Sequence, residues 1–141
     1  MPLSRQEREA FLAEPHIAAL SVSAGKNRGP LTVPIWYQYI PGGHPWFITG
    51  AGSRKHRLIE AAGYLSLMVE RVEPTVRYVA VDGVVDRIED GTDEQLVEVT
   101  TRYLPPEAVE PYLEMARREH GPTVAVFMKP QHWLSADLGG F

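Results

Sequence analysis

The stretch TGAGSRKHRLIEAAG, residues Thr49 to Gly63, runs from a glycine turn into a helical pattern and sets Arg54, Lys55 and Arg57 at the start of that helix. The free N–H groups of a helix N-terminus carry partial positive charge, so carboxylates stabilise this end by a few tenths to about 1 kcal/mol each and cations oppose it. A bound anion removes the conflict. Ser53 at the N-cap, the N–H groups of the first turn and the Arg54 and Lys55 side chains together suit a phosphate, and Gly50 and Gly52 let the backbone approach it closely. The alternative is that the long side chains simply extend into water, where exposed charges contribute little. Two phosphate-loop motifs are excluded, since GxxxxGK[ST] does not occur and GAGSRK lacks the third glycine of GxGxxG.

Other chemistries find less support. Cysteine is absent, which removes disulfides, thiolate metal sites and a cysteine nucleophile. The histidines, His16, His44, His56, His120 and His132, include no pair three or four apart on one helical segment and no HExxH, so no metal site is expected. GxSxG is missing, and capping already accounts for Ser53, which leaves a serine hydrolase without a nucleophile elbow. No catalytic residue is assigned; Tyr37, His56 and Asp82 are the candidate proton donors. Trp36 and Trp133 are candidate pocket walls, weighed against the commoner role of tryptophan as a core or interface anchor.

These residues sit in a chain of 141 residues, which fits a single domain spanning 1–141. Ser4 caps a short helix that Pro15 stops, with Phe11 and Leu12 as its apolar contact. Strands are expected at 16–23, 30–40, 45–49, 64–70, 76–88 and 123–135, with PGGH (41–44) as a hairpin turn. In the second strand Leu31, Val33, Ile35, Tyr37 and Tyr39 share one face, and Pro34, which cannot donate to a ladder, marks an edge or a bulge. Edges and bulges are where ligands meet sheets. Helices are expected at 53–62, ending at Gly63, at 92–104, and at 106–121 between Pro106 and Gly121. Tight turns and few helices argue against strand–helix alternation and a doubly wound, dinucleotide-binding sheet. The expected fold is mainly β (α+β), a six-stranded antiparallel barrel with short helices outside. Net charge is −4, which argues against a general nucleic-acid surface while leaving a small anion open. Neither a signal-peptide run nor 18 consecutive apolar residues occurs, and a soluble, cytoplasmic protein without membrane contact is expected.

The order of a strand carrying Pro-Ile-Trp-Tyr, a hairpin, WFITGAGSRKHRLI, LSLMVE and RYVAVDGVV resembles the split β-barrel flavin and deazaflavin oxidoreductases, the superfamily that includes pyridoxamine 5′-phosphate oxidase. The likeness covers residues 15 to 90 well and KPQHWL loosely. It implies that Thr49 and Gly50 lie along the ribityl chain or phosphate of FMN or coenzyme F420. It implies too that Ser53, Arg54 and Lys55 hold the phosphate with help from Arg57, and that Val33, Pro34, Ile35 and Trp36 pass beside the ring. LTVPIWYQ and QHWLSADLGGF carry no Arg or Lys, unlike relatives that handle a phosphorylated vitamin. The resemblance thus implies an FMN- or F420-dependent oxidoreductase acting on a less polar small organic substrate, as a homodimer with the cofactor at the subunit interface. A non-catalytic module that stores, carries or senses such a small molecule is the alternative from a different class.

Overall fold

The structure, a computed structural model, describes residues 1–140. Its elements are α1 (Arg5–Ala13), β1 (Ala18–Val22), β2 (Leu31–Ile35), β3 (Trp46–Gly50), α2 (Arg54–Ala62), β4 (Tyr64–Arg71), β5 (Val76–Asp90), α3 (Asp93–Tyr103), α4 (Pro106–Glu119) and β6 (Thr123–Gly139). The six strands make one antiparallel sheet in the order β2-β1-β4-β5-β6-β3, the expected α+β class. Strands β2 and β3 are therefore the two edges of the sheet, although they are neighbours in the chain. Gln38 and Trp46 exchange backbone hydrogen bonds of 2.8 and 3.0 Å, so the sheet curls and its edges meet at that one pair.

Period-two alternation sets what lies inside the curl. Leu20 of β1, Leu65, Leu67 and Val69 of β4, Val79 and Val81 of β5, and Val126 and Met128 of β6 are all buried there. Helix α1 contributes Phe11 and Leu12, and its start carries the expected reciprocal cap: Glu7 N–H donates to Ser4 Oγ and Ser4 N–H to the Glu7 carboxylate. Helix α2 adds Ile59 to the same core. No helix among the described residues is long and apolar enough to cross a membrane.

The structure departs from the expected elements at several places. The second strand ends at Ile35 rather than running to residue 40, because Tyr37 leaves the ladder and gives its N–H to the Tyr103 hydroxyl, 3.1 Å away. The returning strand β3 pairs along its whole length with β6, and touches the extension of β2 only through Trp46. The last strand continues to Gly139, where it still pairs with Val76, and α4 stops at Glu119 with His120 as its cap. Pro34 does sit on an edge strand, as its missing N–H requires.

Strands β5 and β6 approach closely at Gly83, where the register shifts. A Cβ on Gly83 would lie 1.8 Å from the Lys129 carbonyl oxygen, a backbone atom that no rotamer change can move. Gly83→Ala is therefore expected to lower unfolding free energy by roughly 2–3 kcal/mol. Gly121→Ala, which meets nothing within 4 Å, is expected to change it little. Equal urea midpoints for the two variants would contradict this account of the crossing.

Candidate functional site

The helix start singled out by its charge is built as the sequence requires. Ser53 has extended backbone and its hydroxyl accepts from the His56 N–H at 3.2 Å, while Gly52, at φ 76°, makes the turn before it. The first turn of α2 holds no acidic residue. Arg54 is exposed and Lys55 half-buried, and neither forms an ion pair among the described residues. Arg57 instead folds back and donates to the Gly52 carbonyl at 3.0 Å, so part of its hydrogen-bonding capacity goes to the turn. His56 is also committed locally: its Nδ1 accepts from the Gly52 N–H at 2.9 Å.

Beside this helix start lies a cavity of about 800 Å³. Pro34, Ile35 and Trp36 line one side, Ile48, Thr49 and Gly50 another, and Lys55 reaches it from α2. The pairing of Gln38 with Trp46 explains its position. Continued in the same register, that pairing would set Trp36 opposite Ile48 and Pro34 opposite Gly50, yet those residues splay apart. Proline cannot donate there, and Tyr37 is drawn away by Tyr103, so the ladder stops and the gap between the two edges is left as a cavity.

Helices α3 and α4 cover the gap. Leu96, Val99, Tyr112 and Ala116 bring apolar and aromatic surface to it, and Trp36 stacks on Tyr103 with centroids 5.0 Å apart and planes 9° from parallel. The cover is fastened at one end by Arg102, which donates to the carbonyls of Ala13 and Glu14 at 2.8 Å each, and by Tyr103, whose hydroxyl donates to the His16 carbonyl at 2.7 Å. At the other end Arg117 makes a two-pronged contact with Asp93, at 2.8 and 2.9 Å, and this holds the Asp93 carboxyl below its usual range. Both residues line the cavity, as does His120. The buried threonines Thr49 and Thr100 line it too, and the Thr100 hydroxyl has no hydrogen-bond partner among the described residues.

Of the expected binding residues, Pro34, Ile35, Trp36, Thr49, Gly50 and Lys55 are thus brought together at one cavity. Val33 packs against the core, and Ser53, Arg54 and Arg57 stand beside the cavity lining without forming part of it. None of the three candidate proton donors lines it. The Tyr37 hydroxyl is buried and donates to the Leu12 carbonyl at 2.6 Å; burial pushes its pKa well above the usual phenol value. Asp82 stands with His132 (2.9 Å) and Tyr64; the Tyr64 hydroxyl bond lowers its pKa. Trp133 lines a different, smaller cleft. Sequence reasoning missed the α3–α4 cover. Its signal was the stripe of Leu96, Val99 and Tyr103, which had to bury itself against something. No cluster of three His, Asp or Glu placed to hold a metal occurs among the described residues.

The family model described as pyridoxamine 5′-phosphate oxidase matches residues 4–135. The chain belongs to the pyridoxamine 5′-phosphate oxidase family. Its family fold is seen again in a solved structure described as an F420 reductase, with a TM-score of 0.69, 20% identity, and coverage of 89% of this chain and 94% of that one. A conserved hypothetical protein from Mycobacterium tuberculosis matches with a TM-score of 0.68 and 23% identity over 96% of this chain and 85% of that one. A protein from Mesorhizobium loti described as FAD-binding matches with a TM-score of 0.62 and 16% identity over 97% and 95%. Such identities make these likenesses of fold alone. No curated protein sequence matches the chain significantly.

The residues present fit a group with a phosphate at one end and a flat ring at the other. Lys55 and the α2 N-terminus supply the charge, while Ile35, Trp36, Ile48 and Leu96 supply an apolar slot. The volume lies in the ordinary range for a small-molecule site. Without such a ligand the cations at α2 oppose the helix dipole. Arg54→Glu is therefore expected to raise the unfolding free energy of the ligand-free protein by a few tenths to about 1 kcal/mol. A loss of stability in thermal or urea unfolding would mean that Arg54 serves the fold instead.

Proposed function

We propose that this protein is an oxidoreductase that uses FMN or coenzyme F420 to transfer hydride equivalents to or from a small organic substrate. One observation carries the reading: a single cavity joins the uncompensated cationic start of α2 to an apolar, aromatic slot between the splayed sheet edges. The bound ring supplies the redox chemistry. This chain's own residues bind and orient it. Ser53, Arg54, Lys55 and the first-turn N–H groups take the phosphate, and Thr49 and Gly50 border the ribityl chain. The Trp36 face, fixed by its stack on Tyr103, limits where a ring can lie. The α3–α4 cover shields one side of the slot from water, which strengthens the local fields that a hydride transfer feels. Wall residues Leu96, Val99 and Ala116 favour an apolar substrate body. Ile17, 55% exposed on the cavity's rim, and the open edge at Pro34 leave a side that a second copy of the chain would close; this supports a homodimer.

The position of Tyr37, His56 and Asp82 away from the cavity favours a second reading, a carrier or sensor that binds the same cofactor without turning substrate over. The two readings share the cradle and differ in turnover. Replacing Arg54 and Lys55 together by Ala is expected to weaken FMN or F420 binding at least tenfold, about 1.4 kcal/mol, with the fold unchanged by circular dichroism. Unchanged affinity in a fluorescence titration would overturn the site. Cofactor-loaded protein that passes no electrons to or from a substrate panel would leave the carrier in place of the enzyme.

A further inference from the structure

A second cleft, about 350 Å³, shares no lining residue with the first. Its walls come from α1 (Arg5, Arg8, Glu9), from the turn between β2 and β3, and from residues 129–133 of β6. Glu9 is the sole carboxylate in the lining, and Arg5 donates to it at 2.8 Å and holds its pKa below the usual range. That pair cancels. Arg8 and Lys129 remain, and neither has an ion-pair partner among the described residues. His44 at the rim has its own carboxylate, Asp86 at 3.3 Å, which Arg87 shares at 3.6 Å.

Arg8 is the decisive residue. Its guanidinium carbon sits 4.6 Å from the centroid of the Trp133 ring, and its Nε is buried with no hydrogen-bond partner. The Nη groups make no hydrogen bond among the described residues either and, unlike Nε, are not buried, so they are the donors that a bound oxygen can engage. The contact with Trp133 holds the guanidinium beside the ring, and its fork of N–H groups can grip two oxygens of one group. Pro130 and the Trp133 edge leave apolar surface next to the charge.

We infer that this cleft is a second binding site, independent of the flavin reading, for a small organic anion whose carboxylate or phosphate group is held by Arg8 and Lys129 beside the Trp133 ring. The ligand is a single-headed acid with a small flat or apolar body, in keeping with the cleft's volume.

The test follows the Trp133 indole N–H by nuclear magnetic resonance, assigned with Trp133→Phe, while benzoate, phenyl phosphate, inorganic phosphate and neutral benzamide are titrated into the full chain. Saturable shifts with benzoate, phenyl phosphate or both, at least tenfold weaker in Arg8→Gln and in Lys129→Gln, are expected, with FMN or F420 affinity unchanged in both variants. Which of the first two binds tells carboxylate from phosphate, and inorganic phosphate reports the head group alone. Arg8→Lys, which keeps the charge but loses the fork, is expected to bind more weakly than the native protein. The proposal is overturned by the absence of a saturable shift with any of the three anions. It is equally overturned by benzamide binding as well as benzoate, or by affinity that survives both charge removals.

Discussion

The architecture turns on two backbone hydrogen bonds between Gln38 and Trp46. An open six-stranded sheet presents two unpaired edges, each a row of unsatisfied polar groups. Here the edges are consecutive in the chain and are pulled together by that pair, but only there. Beyond it, Pro34 and the diversion of Tyr37 keep β2 and β3 apart, so closure is incomplete by construction. The cavity is the consequence of that incomplete closure, and Lys55 at the cationic start of α2 reaches into it.

Incomplete closure creates a debt of exposed apolar surface that α3 and α4 meet. Arg102 and Tyr103 fasten them to the carbonyls of Ala13, Glu14 and His16, and Arg117 ties α4 to Asp93 of α3. Those carbonyls lie at the end of α1 and in the link to β1, outside the helix and strand ladders. One hydroxyl, that of Tyr103, thus serves the backbone of both Tyr37 and His16 and stacks its ring on Trp36. The same residue stops the second strand, anchors the cover and fixes the aromatic wall of the slot. A loss at Tyr103 would reach the fold and the site together.

The features readable in the sequence were local ones. Ser4 and Ser53 cap the helices they precede, alternation sends Leu65, Leu67 and Val69 inward, and Pro34 lies on an edge because a missing N–H admits little else. The charge conflict at Arg54 and Lys55 was visible for the same reason, since a helix dipole acts within one turn. What could not be read was contact over long separations. Tyr37 looked like a strand residue with a free phenol, and only folding brings Leu12 and Tyr103 to it. Arg57 reads in the sequence as a helper at the phosphate, yet the Gly52 carbonyl, left open by the turn, takes one of its N–H groups. The α3–α4 stripe announced that it needed an apolar surface, not which one.

If the cationic start of α2 is half of a cofactor site, the phosphate should dominate the affinity. FMN and riboflavin differ only in that group, so their dissociation constants measured side by side by fluorescence titration isolate its contribution. The account predicts that riboflavin binds at least tenfold more weakly, a loss of about 1.4 kcal/mol or more. Equal affinities would contradict it, and would mean that Arg54 and Lys55 face water with no anion to answer.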